Sequence, residues 1–382
     1  LRKLVLVTTS FPEHSEGASA AGSFVYDLAV AIGKLGVMTY VVTPGIRDQK
    51  EKIGKYVQVY RFGVPKLPLS LLSLRNLSDI APIFKTLSSG KKAVESIVES
   101  VQPDHIFALW ALPSGYWAQK ASRKFNIPYS VWCLGSDIWS LGKMPLVKTI
   151  LAYVIKNADR CFADGYGLSR DVERITGRRA EFLPSTRMVK ESKRSLPRSL
   201  PPYRFLFLGR WHHNKGIDLL LDALADLPNT FWQHVECVRI YGGGPLESSV
   251  AANVAQLQKR KLPVQLGGYL AKKEAEDAIT SSDYVIIPSR IESIPVIFSD
   301  SLKLGVPVIA TPVGDLSDLL REQPACGILA NEATVEGIAS ALEQAATLPP
   351  DSFRDGVVHT GSRFDLGLIV NTVSELINTK SG

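Results

Sequence analysis

Residues Arg204–Leu227 read RFLFLGRWHHNKGIDLLLDALADL. Phe205–Leu208 is an unbroken apolar run closed by Gly209, the pattern of a strand buried on both faces of a parallel sheet. Ile217–Leu227 repeats apolar residues at helical spacing. The polar loop between them leaves the carboxyl end of the strand, where open α/β sheets bind ligands. The same alternation continues downstream. Strands are expected at 236–241, 264–266, 284–288 and 307–310, and helices at 245–260, 272–281, 297–304, 317–321, 335–346 and 366–377. Upstream, a strand at 3–9 leads to a helix at 23–35, closed by Gly36, and to a strand at 38–43. Further strands follow at 57–62, 105–109, 129–133 and 160–163, with helices at 91–101, 115–125, 146–157 and 169–176. Strand and helix alternate throughout, so both halves of the chain are parallel α/β.

At 382 residues the chain is too long for one ordinary core. Composition shifts over 190–203 toward Lys, Arg, Ser and Pro, the signature of a linker. The expected division is a Rossmann-like domain at 1–192, a linker at 193–203, a second Rossmann-like domain at 204–361, and a helical segment at 362–382 that returns to the first domain. Two such domains would face each other across a cleft at their carboxyl strand ends.

The formal net charge is +7, with basic residues spread along the chain rather than massed in a block. That favours a phosphorylated small molecule over an anionic membrane, and speaks against nucleic acid. The four cysteines form no Cys-x-x-Cys pair and no zinc spacing. Cys133 and Cys161 read as thiols of a reducing compartment. His212 and His213 are adjacent, a poor geometry for chelation, and no metal site is expected. The first apolar stretch is too short for a secretory signal, and no run is long enough to span a bilayer. The expected location is the cytoplasm, with a peripheral contact at the inner membrane face left open. That option rests on 64–89, where Leu69, Leu71, Leu72, Leu74, Leu77 and Phe84 mix with Lys66, Arg75 and Lys85. The segment reads either as a packed helix pair or as a membrane- or acceptor-facing insertion.

Arg210 and Lys215 lie at and just beyond the end of the strand 204–208. Two cations there suit a diphosphate, whose negative charge must be stabilised as it leaves a sugar. The alternative is a solvated pair near a helix start. Trp211 beside them is a lid or a packing wedge. Gly242-Gly243-Gly244-Pro245 follows a strand and opens a helix, which permits close backbone approach and favours anions. There is no Gly-x-Gly-x-x-Gly fingerprint and no Gly-Lys-Ser/Thr phosphate loop, which weakens dehydrogenase and ATPase readings. Glu292 precedes a Ser-Ile-Pro turn into a helix, and Asp300 follows eight residues later, on about the same helical face. Glu292 suits sugar hydroxyls and Asp300 a ribose diol; helix capping and solvent exposure are the bland alternatives. Arg290 is either a ligand or a salt-bridge partner. In the first half, Gly135-Ser136-Asp137 ends a strand, and Asp137 serves an acceptor hydroxyl or caps the next segment. Gly17 and Gly22, on the first loop, permit close approach of acceptor or diphosphate.

Taken together, the chain resembles the retaining, nucleotide-sugar-dependent glycosyltransferases of family 4 (group 1), which have the two-domain GT-B fold. The likeness covers almost the whole chain and is strongest over 204–320. Gly209-Arg210 with Lys215-Gly216 resembles the family's diphosphate-binding Arg and Lys. Tyr241-Gly242-Gly243-Gly244-Pro245 resembles its Gly-x-Gly-Pro turn. Glu292 to Asp300 is similar to its paired-glutamate motif, with Asp in second place, and Ser293, Ile294, Pro295 and Val296 stand in its donor-binding turn. Gly305-x-Pro307 and Thr311-Pro312-Val313-Gly314 also fit.

The resemblance implies that a nucleoside diphosphate sugar, most commonly a UDP-sugar, binds the second domain. A saccharide or lipid-linked acceptor binds the first, and the sugar is transferred with retention after cleft closure. The donor is a substrate; no tightly bound cofactor and no obligatory metal are implied. The leaving phosphate would serve as base for the acceptor hydroxyl. Three departures stand out: Leu134 where the family often has a donor-contacting histidine, the shorter Asp300, and Ser293-Ile294-Pro295 in place of a glycine-rich turn. Two alternatives follow. One is a GT-B scaffold that has lost its chemistry. The other is a sugar-nucleotide epimerase or hydrolase using His14, His212 or His213.

Overall fold

The computed structural model describes residues 1–12, 22–69, 72–73, 76–189 and 198–378. His14, Gly17, Leu71, Leu74, Arg75 and the linker stretch 193–197 lie outside them. The described residues form two compact units, the first from 1–12, those of 22–185, and 366–378, the second from 186–189 and 198–365.

The first unit contains eight strands in chain order: β1 (Lys3–Val7), β2 (Met38–Gly45), β3 (Gln49–Ile53), β4 (Val57–Gly63), β5 (His105–Leu109), β6 (Tyr129–Cys133), β7 (Cys161–Ala163) and β8 (Glu181–Phe182). They form one sheet in the order β3-β4-β2-β1-β5-β6-β7-β8. All neighbours are parallel except β3 and β4. The central strands β1, β5 and β6 are buried almost throughout, which is why they read as continuous apolar runs. β3 was not expected. Its sequence, QKEKI, carries no apolar alternation because it lies at the sheet edge with no buried face. Charge on an edge strand also discourages further pairing.

Its helices are α1 (Ser23–Lys34), α2 (Leu77–Val101), α3 (Tyr116–Phe125), α4 (Ser136–Trp139), α5 (Pro145–Lys156) and α6 (Tyr166–Thr176). The buried face of α1 carries Val25, Leu28, Ala29 and Ile32, while Leu35, just past its end, is exposed. α2 is a single helix of 25 residues, capped by Asn76 accepting from the backbone N–H of Ser78. Of the segment 64–89, read as a packed helix pair or an insertion, 77–89 lies in one helix that runs through to 101, while 70–71 and 74–75 lie outside the described residues. α2 and α3 meet at Gly90, where a Cβ would lie 2.3 Å from the Trp117 indole. Val94 and Val98 of α2, Trp117 of α3, Leu151 and Val154 of α5 and Leu168 of α6 share one core cluster on one sheet face.

The second unit contains β9 (Tyr203–Arg210), β10 (Val235–Gly243), β11 (Val264–Gly267), β12 (Tyr284–Ile287), β13 (Val308–Ala310) and β14 (Gly327–Leu329). They form an all-parallel sheet in the order β11-β10-β9-β12-β13-β14. Its helices are α7 (Ile217–Asp226), α8 (Asn229–Trp232), α9 (Glu247–Lys259), α10 (Lys272–Thr280), α11 (Val296–Lys303), α12 (Leu316–Arg321), α13 (Val335–Thr347) and α14 (Arg354–Ser362). The apolar stripes of α7, α9 and α13 meet β9, β10 and β12 in one cluster that includes Ile217, Leu220, Val250, Val254, Leu342 and Tyr284. The last helix, α15 (Leu366–Asn378), belongs to the first unit. There Ile369 and Val373 join Val25 and Leu28 of α1 on the other sheet face.

In each sheet the chain moves outward in both directions from its first strand. The strand order thus switches between β1 and β5, and between β9 and β12. Such switch points open a crevice at the carboxyl strand ends.

Two buried ionisable groups of the first unit have opposed effects on stability. His105 of β5 has Nε2 2.9 Å from Ser130 Oγ, and burial lowers its pKa to about 4, with Arg160 acting in the same direction. Asp137 of α4 is buried, and that burial raises its pKa to about 6 although the backbone N–H groups of Ala111 and Leu134 donate to it at 2.6 and 3.3 Å. A lowered histidine pKa gives stability that is present above its ordinary value of 6.5 and lost as pH falls towards 4. A raised aspartate pKa gives stability that is present below 3.8 and lost as pH rises through 6. Urea unfolding between pH 4 and pH 6 should therefore show Asp137→Asn gaining stability with pH more steeply than wild type, and His105→Gln less steeply. Equal slopes in all three proteins would contradict the assignment.

Candidate functional site

β9 ends at Gly209-Arg210, which pairs in register with Gly242-Gly243 at the end of β10. Trp211 then turns inward and is 3% exposed, so it is a packing wedge rather than a lid. Its backbone N–H donates to Gly243 O at 2.8 Å, and its carbonyl accepts from Leu246 N–H at 3.1 Å. The two loops are thus sewn together. Gly244 has φ 148°, and a Cβ there would lie 2.7 Å from Trp211 O. Only glycine permits that conformation and that approach. Arg210, beside this turn, is exposed and makes no hydrogen bond or ion pair among the described residues.

The chain next makes a short turn at His213–Lys215 and enters α7 through Gly216, with φ 66°. A Cβ at Gly216 would lie 1.8 Å from Pro288 O, so the β9 loop touches the end of β12 through this glycine. The contact is reinforced by polar bonds. Arg290 N–H donates to Asn214 O at 2.8 Å. The Arg290 guanidinium grips Asp218 with two bonds of 2.8 Å and donates to His213 O at 2.7 Å. Of the two readings of Arg290, the structure supports the salt-bridge partner.

This loop pairing brings Lys215 to Glu292, 77 positions later. Lys215 Nζ donates to Glu292 Oε1, which also accepts from Ser289 Oγ at 3.2 Å. The lysine is partly open to solvent, whereas Glu292 is mostly covered. The Glu292 loop is supported from beneath: Thr311 Oγ1 donates to Ser289 O at 2.5 Å, and Asp315 N–H to Ser293 O at 3.4 Å. Ser293, Ile294 and Pro295 are buried, and Ser293 Oγ has no hydrogen-bond partner among the described residues. Val296 opens α11. Pro295 precedes it in an extended conformation and supplies no side-chain cap.

The placing of Glu292 and Asp300 on one helical face is corrected by the structure. α11 begins only at Val296, because proline disfavours helical backbone in the residue before it. Glu292 is a loop residue, and Asp300 faces the interior of the unit at 1% exposure. Its carboxylate accepts from Arg187 Nε at 2.8 Å, and Lys303 Nζ lies 3.5 Å away. Lys303 also donates to Arg187 O at 2.6 Å. A buried carboxylate requires such partners. Sequence reasoning missed both cations, although Lys303 stands at i+3 from Asp300, where helical neighbours meet.

In the first unit, Gly22 sits at the amino end of α1 and Gly135 at that of α4. Asp137 is turned inward and accepts from the N–H groups of Ala111 and Leu134, which precede α4, so it is not an open acceptor contact and ties α4 back to those loops. A residue not singled out from sequence is Trp110, directly after β5 at the β1/β5 switch point. Its φ is 69° and ψ 124°, a conformation that costs a bulky residue about 1–3 kcal/mol. Its indole is half-buried and lies edge-on to Phe24, with ring centroids 6.2 Å apart. Among the described residues no group of three His, Cys, Asp or Glu side chains is placed to hold a metal ion.

Comparison with known proteins accords with this arrangement. Residues 202–347 match the family described as Glycosyl transferases group 1. TuaC of Bacillus subtilis (strain 168), named as a teichuronic acid biosynthesis glycosyltransferase, is 25% identical over 283 residues, 69% of this chain and 68% of that protein. The sucrose-phosphate synthase of Thermosynechococcus elongatus superposes with a TM-score of 0.76 at 17% identity, over 99% of this chain and 98% of that one. Anabaena Alr3699/HepE, solved in complex with UDP, gives a TM-score of 0.68 at 14% identity over 99% and 100% of the two chains. Family match, relatives and two-sheet architecture agree: residues 202–347 are the group 1 glycosyltransferase part of a chain that has the GT-B fold.

Proposed function

We propose that the second unit holds a nucleoside diphosphate sugar at the carboxyl ends of β9, β10 and β12. The chain then transfers the sugar, with retention, to a hydroxyl of a saccharide or lipid-linked acceptor held by the first unit. The observation that carries this reading is the convergence of Arg210, Lys215 and Glu292 from two loops on one end of the sheet. Uridine is the base proposed, on the strength of the UDP and UDP-glucose complexes of Anabaena HepE.

In the transfer, the bond from the anomeric carbon to the β-phosphate oxygen breaks and its electron pair stays on the phosphate. Arg210 and Lys215 stabilise that charge, most strongly where water is excluded. The acceptor oxygen bonds to the anomeric carbon on the face the phosphate leaves, and its proton passes to the departing phosphate. Glu292 orients Lys215 and accepts from a sugar hydroxyl. Gly209, Gly243 and Gly244 admit the diphosphate to the backbone. After the turn Ser293-Ile294-Pro295, the N–H groups of Val296 and Ile297 open α11 without acceptors inside that helix and can donate to the sugar or phosphate. Asp300 is a positioning residue: through Arg187 and Lys303 it fixes α11. Two fixed cations supply the charge that a metal supplies elsewhere, so the scheme requires no metal.

On the acceptor side, the strained Trp110 stands at the switch point of the first sheet, between the loops that carry Gly22 and Gly135. An indole face suits the C–H face of a sugar ring. The epimerase reading is weaker. His212 Nδ1 accepts from Asn214 N–H at 3.1 Å, and His213 Nδ1 lies 3.3 Å from Asp218, so both rings serve the loop's own structure.

Arg210→Ala and Lys215→Ala should each lower kcat with a UDP-sugar by about 10²–10³-fold. Arg210→Ala should leave the thermal midpoint unchanged, since that side chain is exposed. Wild-type turnover in both variants would sink the leaving-group role. With simple methyl glycosides as acceptor probes, Trp110→Gly should raise the acceptor KM by about tenfold. The donor KM should not move, and Trp110→Phe should retain most of the affinity. A shift in donor KM instead would place Trp110 outside the acceptor site.

A further inference from the structure

The outer face of the α2, α3 and α5 layer is unlike a solvated helical surface. On α5, Leu146 is 84% exposed, Ile150 46% and Tyr153 45%, while Leu151, Val154 and Ile155 are buried. The three exposed residues fall at i, i+4 and i+7 and therefore share one face. A surface helix ordinarily keeps its apolar stripe for the core; one that is apolar on both sides has a second apolar neighbour. α2 repeats the pattern, with Leu77 84% and Phe84 68% exposed and seven residues apart. α3 packs against both helices and contributes Lys120, Arg123 and Lys124 to the surface between them. Arg123 donates to Tyr153 Oη at 3.1 Å, which joins the basic strip to the apolar one.

The charge of this layer is one-sided. The three helices carry eight Lys and Arg against three acids. Of those acids, Asp79 is buried and paired with Lys66, and Glu95 sits between Lys91 at 3.7 Å and Lys124 at 3.3 Å. The excess extends to the unit. Residues 1–185 with 366–382 carry +9 and residues 186–365 carry −2, which together make the +7 of the chain. Isolated exposed apolar residues are ordinary. Apolar residues in helical register, interleaved with cations on adjoining helices, are the design of a surface that lies on lipid. The leucine, isoleucine and aromatic side chains enter the headgroup boundary while Lys and Arg reach the phosphates. A second copy of the chain is disfavoured, because two such faces would bring like charges together.

We propose that the outer face of α2, α3 and α5 docks on an anionic lipid bilayer. The proposal is independent of the donor chemistry. It keeps Leu77 and Phe84 of the segment 64–89 in the membrane contact and extends that contact to α3 and α5.

The test is co-sedimentation of the full chain with phosphatidylcholine vesicles, with and without about 30% phosphatidylglycerol, at about 0.1 M salt. Binding is expected to the anionic vesicles only, and to be lost at about 0.5 M salt. Leu146→Glu with Ile150→Glu should cut the bound fraction about tenfold. Lys120→Gln with Lys156→Gln should reduce it in proportion to the charge removed. UDP-glucose binding by all variants serves as the control for folding, and its loss in wild type would count against the donor reading alone. The proposal is overturned if wild type ignores the anionic vesicles, or if the Leu146→Glu/Ile150→Glu protein binds them as wild type does. It is equally overturned if glycerol phosphate in solution abolishes binding at millimolar concentration, since a headgroup pocket would then explain the result. A dimer that dissociates in the Leu146→Glu/Ile150→Glu variant, without vesicle binding by wild type, would assign the face to self-association.

Discussion

The ion pair between Lys215 and Glu292 is the contact on which the site depends. It joins loops from β9 and β12, neighbours in space at the switch point of the second sheet but 77 residues apart in sequence. Every support around it serves to bring those loops within reach. Gly216 removes the side chain that would hold β12 away, Arg290 clamps Asp218 and His213 O, and Trp211 fills the space behind. The pair is partly open to water, so its contribution to stability is small. Its importance lies in orientation. A lysine held by a carboxylate presents its remaining protons in one direction, so in the proposed function an arriving diphosphate would meet an ordered cation rather than a mobile one.

A second, deeper ion-pair group supports the first. Asp300 is buried with Arg187 and Lys303 against it, and this triad ties the stretch at 186–187 to α11. Removing one partner would leave an uncompensated charge in the interior, which is far costlier than losing a surface pair. The two carboxylates of the 292–300 motif therefore have different tasks. Glu292 faces the open end of the sheet, and Asp300 fixes the helix whose amino end lies beside it. The shorter side chain at 300 fits this inward role.

The strand and helix pattern was legible where burial was two-sided. β1, β5, β9 and β12 are continuous apolar runs because helices cover both sheet faces, and Arg210, Lys215 and Glu292 could be singled out because each follows such a run. Legibility failed where a residue's environment comes from distant segments. β3 is an edge strand of polar residues and shows no period. The burial of Asp300 depends on Arg187, more than a hundred positions earlier. The inward turn of Asp137 depends on the Ala111 N–H. Trp110 was invisible because backbone strain has no sequence signature in a tryptophan. The segment 64–89 was misread in part because 77–89 belongs to one long helix, whose exposed Leu77 and Phe84 are not core.

The most direct test of the central claim is calorimetric titration of UDP, GDP and ADP into the wild-type chain and into Arg210→Ala and Lys215→Ala, with uridine as a ligand lacking phosphate. The account predicts tight binding of one diphosphate, weakened about tenfold or more in each variant, with uridine affinity unchanged. If the diphosphate binds the variants as it binds wild type, the end of β9 is not the donor site and the proposed chemistry is wrong.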